Sequence, residues 1–404
     1  MKKVFLMLII LLFPISVLAL EYPSLDSKNV EVYDMTDGIV LYEIKPNEVS
    51  SIASLTKIAT TITAIEEIDD LDKKIIITDE ILKTVSWEAS KAGLKVGDEL
   101  SYRDLLYASM LPSGADATNA IAISSSGSIK NFVEKMNALS KRIGLENTHF
   151  VNVTGLDEEN HKSTTRDVRK LLVYALKNPT FKKVFTAREY KMTNGVVVKN
   201  TFYTFYKDSK INTSKILGNK TGHTDDAGYC LTSLSNVNGH KIIITSLHAK
   251  REGNDFYNII DTAILIDFLS NNYKNRLLIK KGDHIKQVDV KLSNIDSYEI
   301  KAPSNVLKYL PSDYDKNDFK IRYDGLEKLS FINIKGKKIG TLNYYYKDRL
   351  FRKDDVVLDK NININILKVL ANYWYICLIY WFIFASICII TWLIINKKSI
   401  SNNN

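Results

Sequence analysis

The sequence predicts an α+β protein: a domain mixing helices and strands, then a small antiparallel β domain, then one C-terminal transmembrane helix. Three observations carry this expectation. Before residue 270, apolar residues recur at helical spacing in several segments, with strand-like runs on either side. After Leu269 the pattern becomes alternation of apolar and polar residues broken by short turns, with no helical period. Near the end, "YWYICLIYWFIFASICIITWLII" (Tyr373 to Ile395) carries no charge. At a rise of ~1.5 Å per residue it is long enough to cross a hydrocarbon core.

The elements follow in chain order. Lys2 and Lys3 precede the run "VFLMLIILLFPISVLA", with small Val17 and Ala19 at its end, which predicts a secretory signal peptide over residues 1–19. Residues 29–45 read as two strands joined by a turn at Asp37-Gly38. In "SLTKIATTITAIEEI", Leu55, Ile58, Ile62 and Ile65 form one helical face. Residues 102–123 and 129–143 repeat the helical period, the second with the stripe Ile129, Phe132, Val133, Met136, Leu139 and Ile143. The strand-like runs "GYCLTSLSN" and "HKIIITSLHA" flank a turn at Asn238-Gly239, and an amphipathic helix covers roughly 256–269. The antiparallel β domain takes residues 271–355. A linker over 356–372 then leads to the membrane segment 373–395 and a tail of residues 396–404.

Charge and cysteine content narrow the functional classes. Of a net charge of +9, much belongs to residues 271–355, which hold 19 Lys/Arg against 12 Asp/Glu. Such a surface favours anionic partners, cell-wall polymers or lipid headgroups, or is simply solvated. Lys397 and Lys398 follow the apolar run, and the positive-inside rule assigns them to the cytoplasm. The signal peptide exports everything upstream, so both ends predict a single-pass protein of the cell membrane with its domains outside, where nucleic acid is a poor fit. Cys377 and Cys388 lie inside the apolar run, leaving Cys230 alone in the exported part, with neither a disulfide framework nor a thiolate metal site. The six histidines are scattered, without an H-E-x-x-H pattern, so no metal and no cofactor is expected.

Three short motifs carry the chemistry. "SLTK", Ser54 to Lys57, is the one S-x-x-K of the chain and opens a predicted helix. Its i, i+3 spacing sets the Lys57 amine beside the Ser54 hydroxyl. A hydroxyl needs a neighbouring base to become nucleophilic, and a desolvated lysine can lose its proton near neutral pH. An N-cap serine with a surface lysine explains the motif equally well. The second motif is "SGAD", Ser113 to Asp116, and the third is "KTGHT", Lys220 to Thr224, just before a strand. A lysine on an edge strand can fix a carboxylate or a developing negative charge, and Gly222 leaves room for a substrate at the backbone.

Taken together, and in this order, the three resemble the serine-type D-alanyl-D-alanine carboxypeptidases, the low-molecular-mass penicillin-binding proteins. The likeness spans most of residues 29–355. It includes "VYDMTDGIVLYEIKPNEVSSIASLTKIAT", "LLYASMLPSGADATNAIA", "STTRDV" and "GNKTGHTDDAGYCL". The resemblance implies a β-lactamase/transpeptidase-like catalytic domain over residues 20–270. It also implies that Ser54 attacks a terminal D-Ala-D-Ala peptide bond, with Lys57 as base and Ser113 relaying protons. Lys220, Thr221, Gly222, His223 and Arg251 would bind substrate, with the backbone N–H groups of Ser54 and His223 as oxyanion hole. Peptidoglycan stem peptides would be the substrates, and β-lactam antibiotics would acylate the same serine.

The chain departs from the family pattern at Ala115, where the second motif carries asparagine; Asn119, one helical turn on, is the candidate to compensate. Losing such a polar contact could cost ~2–4 kcal/mol of transition-state stabilisation. Two other readings stay open. One is a β-lactamase, although the acids of "GLDEENHKS" lack that family's arrangement; the other is a low-activity receptor for penicillin or peptidoglycan.

Overall fold

The computed structural model describes residues 20–205, 211–330 and 333–401; the segment expected to be a signal peptide lies outside them. Strands β1 (Asn29–Asp34) and β2 (Ile39–Ile44) form the anticipated hairpin around Asp37-Gly38. β1 pairs with β5 (His240–Ala249), which pairs with β4 (Gly228–Val237), which pairs with β3 (Ile216–Thr224). All these pairings are antiparallel, and β2 and β3 are the two edge strands of this five-stranded sheet.

Both faces of the sheet are covered, and the two-residue side-chain period of a strand explains how. Along β5, Ile242 and Ile244 join one apolar cluster with Val30, Val32 and the helix Tyr257–Asn272. Ile243 and Leu247, pointing the other way, join a larger cluster with helices α1 (Lys57–Glu67), α2 (Tyr102–Met110), α3 (Ala115–Ser126) and α4 (Ile129–Ile143). The α4 boundaries match the sequence pattern residue for residue, with Ser128 capping its start and Gly144, at φ 76°, ending it.

Two departures from expectation shape the site. "SLTK" does not open an α-helix directly: Ala53–Thr56 form a 3₁₀ turn, and α1 begins at Lys57. The helix expected over 102–123 is broken, with α2 ending at Met110 and α3 starting at Ala115. Pro112 removes a backbone donor and Ser113 sits at φ 62°, so the helical ladder cannot continue through the second motif.

A second compact unit comprises Arg276–Lys308 and the chain from Tyr314 onward, while Tyr309–Asp313 belongs with the first. Within it, His284–Val290 pairs with Ser297–Lys301, and Phe319–Gly325, Lys338–Tyr346 and Arg349–Val357 form a three-stranded sheet. These pairs are antiparallel; a two-residue parallel contact of Lys328–Leu329 with Asp289 and Val290 is the exception. Val288, Ile300, Leu342 and Tyr344 form its core. The chain then enters a helix, Ile366–Ser401, whose backbone leaves helical geometry at Tyr373 (φ −124°, ψ 19°), the first residue of the uncharged run. Its stretch Ile366–Ile395 is exposed, its most apolar 18 residues have a mean hydropathy of 2.5, and it is long and apolar enough to cross a membrane.

Candidate active site

The 3₁₀ turn carrying Ser54 is packed from several sides. Ala53 adopts φ 46°, a left-handed conformation that a residue with a Cβ adopts at a cost. Its carbonyl accepts from the Thr56 hydroxyl at 2.8 Å, and that hydroxyl lies 2.7 Å from His161 Nε2. Val151 N–H donates to His161 Nδ1, so the ring proton sits on Nε2 and points at Thr56. Burial pushes His161 down to about 4, which keeps the ring neutral. Gly155, at φ +88°, approaches so closely that a Cβ there would lie 2.0 Å from the Ala53 carbonyl oxygen. Gly222 of the third motif would place a Cβ 3.1 Å from the Ser54 backbone nitrogen. Glycine is required at Gly155 by both conformation and space.

Lys57, the first residue of α1, is buried, and its Nζ donates to Ser54 Oγ at 2.9 Å and to the Thr154 carbonyl. Burial lowers this amine from 10.5 to about 7, against an opposing pull from the Asp116 carboxylate. At neutral pH a large share of Lys57 is therefore unprotonated and able to take the Ser54 proton. Lys220 is also buried, donating to Ser113 Oγ at 3.1 Å and to the Thr221 carbonyl at 2.8 Å. Burial, and then the Lys57 charge, hold it well below the usual lysine range.

Ser54, Ser113, Thr221, Gly222, His223 and Arg251 line one cleft of about 360 Å³, with Lys57 and Lys220 beneath it. Thr221 Oγ1 meets Thr201 Oγ1 at 2.9 Å. The exposed His223 ring stands 4.1 Å from that of Tyr229. The Arg251 guanidinium lies over Phe256 and its Nε donates to the Gly253 carbonyl. The sequence thus supplied every predicted side chain to one place. It missed Glu88, Ser90, Thr201 and Tyr229, which also line the cleft, and the Thr154 carbonyl on Lys57. None stands at a chemically telling spacing, and a backbone acceptor leaves no trace in residue type.

Ala115 is fully buried, and its N–H donates to the Ser90 carbonyl at 2.8 Å. Asn119 does not replace the missing amide: its Nδ2 donates to the Thr84 carbonyl and hydroxyl. Asp116 accepts from the N–H groups of Ala92, Gly93, Leu94 and Ala117, so the second motif anchors the segment before α2. Asp157 of "GLDEENHKS" accepts from Thr224 Oγ1 and Asp226 N–H, tying that loop to the end of β3.

Two other features of the molecule bring polar groups together without forming a catalytic arrangement. A cleft of about 390 Å³ within the second unit, lined by Tyr298, Lys301, Asp355 and Lys360 among others, holds no paired nucleophile and base. Among the described residues one cluster has metal-ligand types, Asp34, Asp37 and His240. There His240 Nδ1 meets Asp34 Oδ2 at 2.7 Å, Asp34 Oδ1 accepts two turn N–H groups, and Asp37 accepts from Tyr309 N–H. These contacts lock the β1–β2 turn.

Known proteins share this arrangement's framework. The D-alanyl-D-alanine carboxypeptidase DacF of Bacillus subtilis is 29% identical over 346 residues, covering 82% of this chain and 83% of that protein. A D-alanyl-D-alanine endopeptidase of Escherichia coli is 29% identical over 232 residues, 56% of this chain and 73% of its own. The structure of penicillin binding protein 5 from Haemophilus influenzae superposes with a TM-score of 0.64 at 23% identity, covering 85% of this chain and all of that one. It shows the same α+β transpeptidase-like fold. A family model described as D-alanyl-D-alanine carboxypeptidase, peptidase S11, matches residues 17–251, which include all three motifs. The chain belongs to the S11 family of D-alanyl-D-alanine carboxypeptidases, serine peptidases.

Proposed function

We propose that the protein is a membrane-tethered D,D-carboxypeptidase that removes the terminal D-alanine from peptidoglycan stem pentapeptides through an acyl-enzyme on Ser54. The observation that carries this reading is the Lys57 amine, 2.9 Å from Ser54 Oγ and lowered to about 7. Lys57 takes the Ser54 proton as Oγ attacks the carbonyl of the penultimate D-alanine. The oxyanion is stabilised by backbone N–H groups of Ser54 and His223. Collapse breaks the peptide bond, and the leaving amine takes a proton by way of Ser113, whose Oγ accepts from Lys220. Water then hydrolyses the ester and regenerates Ser54. Thr221, Gly222 and Arg251 hold the terminal carboxylate. A β-lactam presents its ring carbonyl to Ser54 in place of the peptide carbonyl; attack opens the ring C–N bond and leaves a ring-opened ester on Ser54.

The free edge of β3 suits an extended peptide, which can add to it as a further strand. The exposed apolar helix supports a membrane tether, with the peptidase on the extracytoplasmic side. Full-length protein in detergent, incubated with a fluorescent penicillin and separately with a pentapeptide ending in D-Ala-D-Ala, tests the reading. Labelling that Ser54→Ala abolishes, together with D-alanine release, is the expected result. Labelling without release favours a receptor, rapid penicillin turnover favours a lactamase, and no labelling defeats all three.

A further inference from the structure

Two charged side chains line the catalytic cleft from different parts of the chain, Arg251 and Glu88. Glu88 lies on the segment before α2, which is secured to the second motif at several points. Asn119 holds Thr84, the Ala115 N–H holds the Ser90 carbonyl, and the buried Asp116 carboxylate receives three successive N–H groups from Ala92 to Leu94. Gly114 keeps this contact close, since a Cβ there would lie 2.7 Å from Ala92 Cβ. The second motif, whose loop presents Ser113, therefore also fixes the mouth of the cleft beside it.

Among the described residues the Glu88 carboxylate forms no ion pair. A carboxylate that lines the cleft without an ion pair is suited to an ammonium group, through a charge-assisted hydrogen bond. A stem peptide is complementary to this pattern. Its terminal carboxylate belongs at the Thr221–Arg251 end. The diamino acid preceding the two D-alanines carries a side-chain ammonium when the stem is free and a neutral amide when it is cross-linked.

We propose that Glu88 forms a subsite for the free side-chain ammonium of the substrate's diamino acid, and so selects stems whose amine is not cross-linked. This rests on the peptidase reading above. It makes Glu88 a specificity residue that touches substrate away from the reacting atoms.

The test compares D-alanine release by the full-length protein from two pentapeptides, one with a free lysine amine at the third position and one with that amine acetylated. Rates are divided by the fraction of chains that a fluorescent penicillin labels, so misfolded variants do not bias them. The wild type should favour the free amine by about tenfold in kcat/KM, and Glu88→Gln should bring the ratio to within about twofold of one. Glu88→Lys should reverse the preference toward a succinylated amine. Equal release from both peptides by the wild type, or an unchanged ratio in both variants, overturns the subsite while leaving the peptidase reading intact. Penicillin labelling with no release from any of the peptides defeats the peptidase reading, and the subsite falls with it.

Discussion

Lys57 and Lys220 are buried cations within hydrogen-bond reach of Ser54 and Ser113, and their surroundings disfavour the charge that lysine ordinarily keeps. The pH dependence follows with a definite sign. Only unprotonated Lys57 can accept the Ser54 proton, so the acylation rate by a penicillin should fall about tenfold per pH unit below its value of about 7 and level off above it. Stopped-flow labelling between pH 5 and 9 checks this; a flat profile would remove Lys57 from the role of base. The same burial costs stability. The folded value lies below the ordinary 10.5, so the unfolded chain holds the extra proton between those values, and stability rises with pH through that window. Below about pH 7 the cost is complete. Lys57→Met should therefore raise the melting temperature at pH 7 while abolishing turnover, and a lower melting temperature would contradict the assignment. Ala115 behaves differently from a simple missing contact. It is fully buried and does not line the cleft, so Ala115→Asn should overpack the first turn of α3, cost about 1–3 kcal/mol in urea unfolding and fail to increase D-alanine release.

At the scale of elements, the turn that carries Ser54, α3 and β3 are held together by close backbone approach. Gly155→Ala should be severe because its Cβ meets the Ala53 carbonyl in a left-handed conformation. The expected outcome is loss of penicillin labelling by more than about a hundredfold, with a fall in melting temperature. Unaltered labelling would show that the turn tolerates displacement. Asp116→Ala strips acceptors from four backbone donors and should expose the segment around Ala92 to limited proteolysis. Much of this layer was legible in the sequence. The stripe from Ile129 to Ile143 has one helical solution, and the runs on either side of Asn238-Gly239 have one hairpin register. The three motifs converged on one cleft because each stands at the end of such an element. Other features were hidden for physical reasons. Periodicity runs through 102–123, yet Pro112 and the positive φ of Ser113 interrupt it where the chemistry sits. The Thr154 carbonyl on Lys57 is a backbone contact from a residue 97 positions away. Glu88 and Ser90 reach the cleft only because Asp116 anchors the segment after them, a tertiary contact with no sequence period.

For the whole molecule, the alternation after Leu269 announced a β-rich region, but not that Tyr309–Asp313 packs with the first unit. There Tyr309 stacks on His240 and its hydroxyl donates to the Leu269 carbonyl. Neither partner is near it in sequence. The exposed helix from Ile366 predicts the chain's partitioning. A chain ending at Asn365 should leave the membrane fraction for the soluble one and still bind penicillin, whereas the full chain should require detergent. Retention of the shortened chain in washed membranes would assign the tether to another surface.

Catalysis by this site passes, in the proposed mechanism, through an acyl-enzyme on Ser54 whose formation releases D-alanine. Rapid acid quench of the protein during turnover of a pentapeptide, followed by peptide mapping with mass spectrometry, tests it most directly. A tetrapeptidyl adduct on Ser54, formed together with an equivalent of D-alanine and absent from Ser54→Ala, is the expected result. An adduct on another residue, or undiminished D-alanine release by Ser54→Ala, would contradict it.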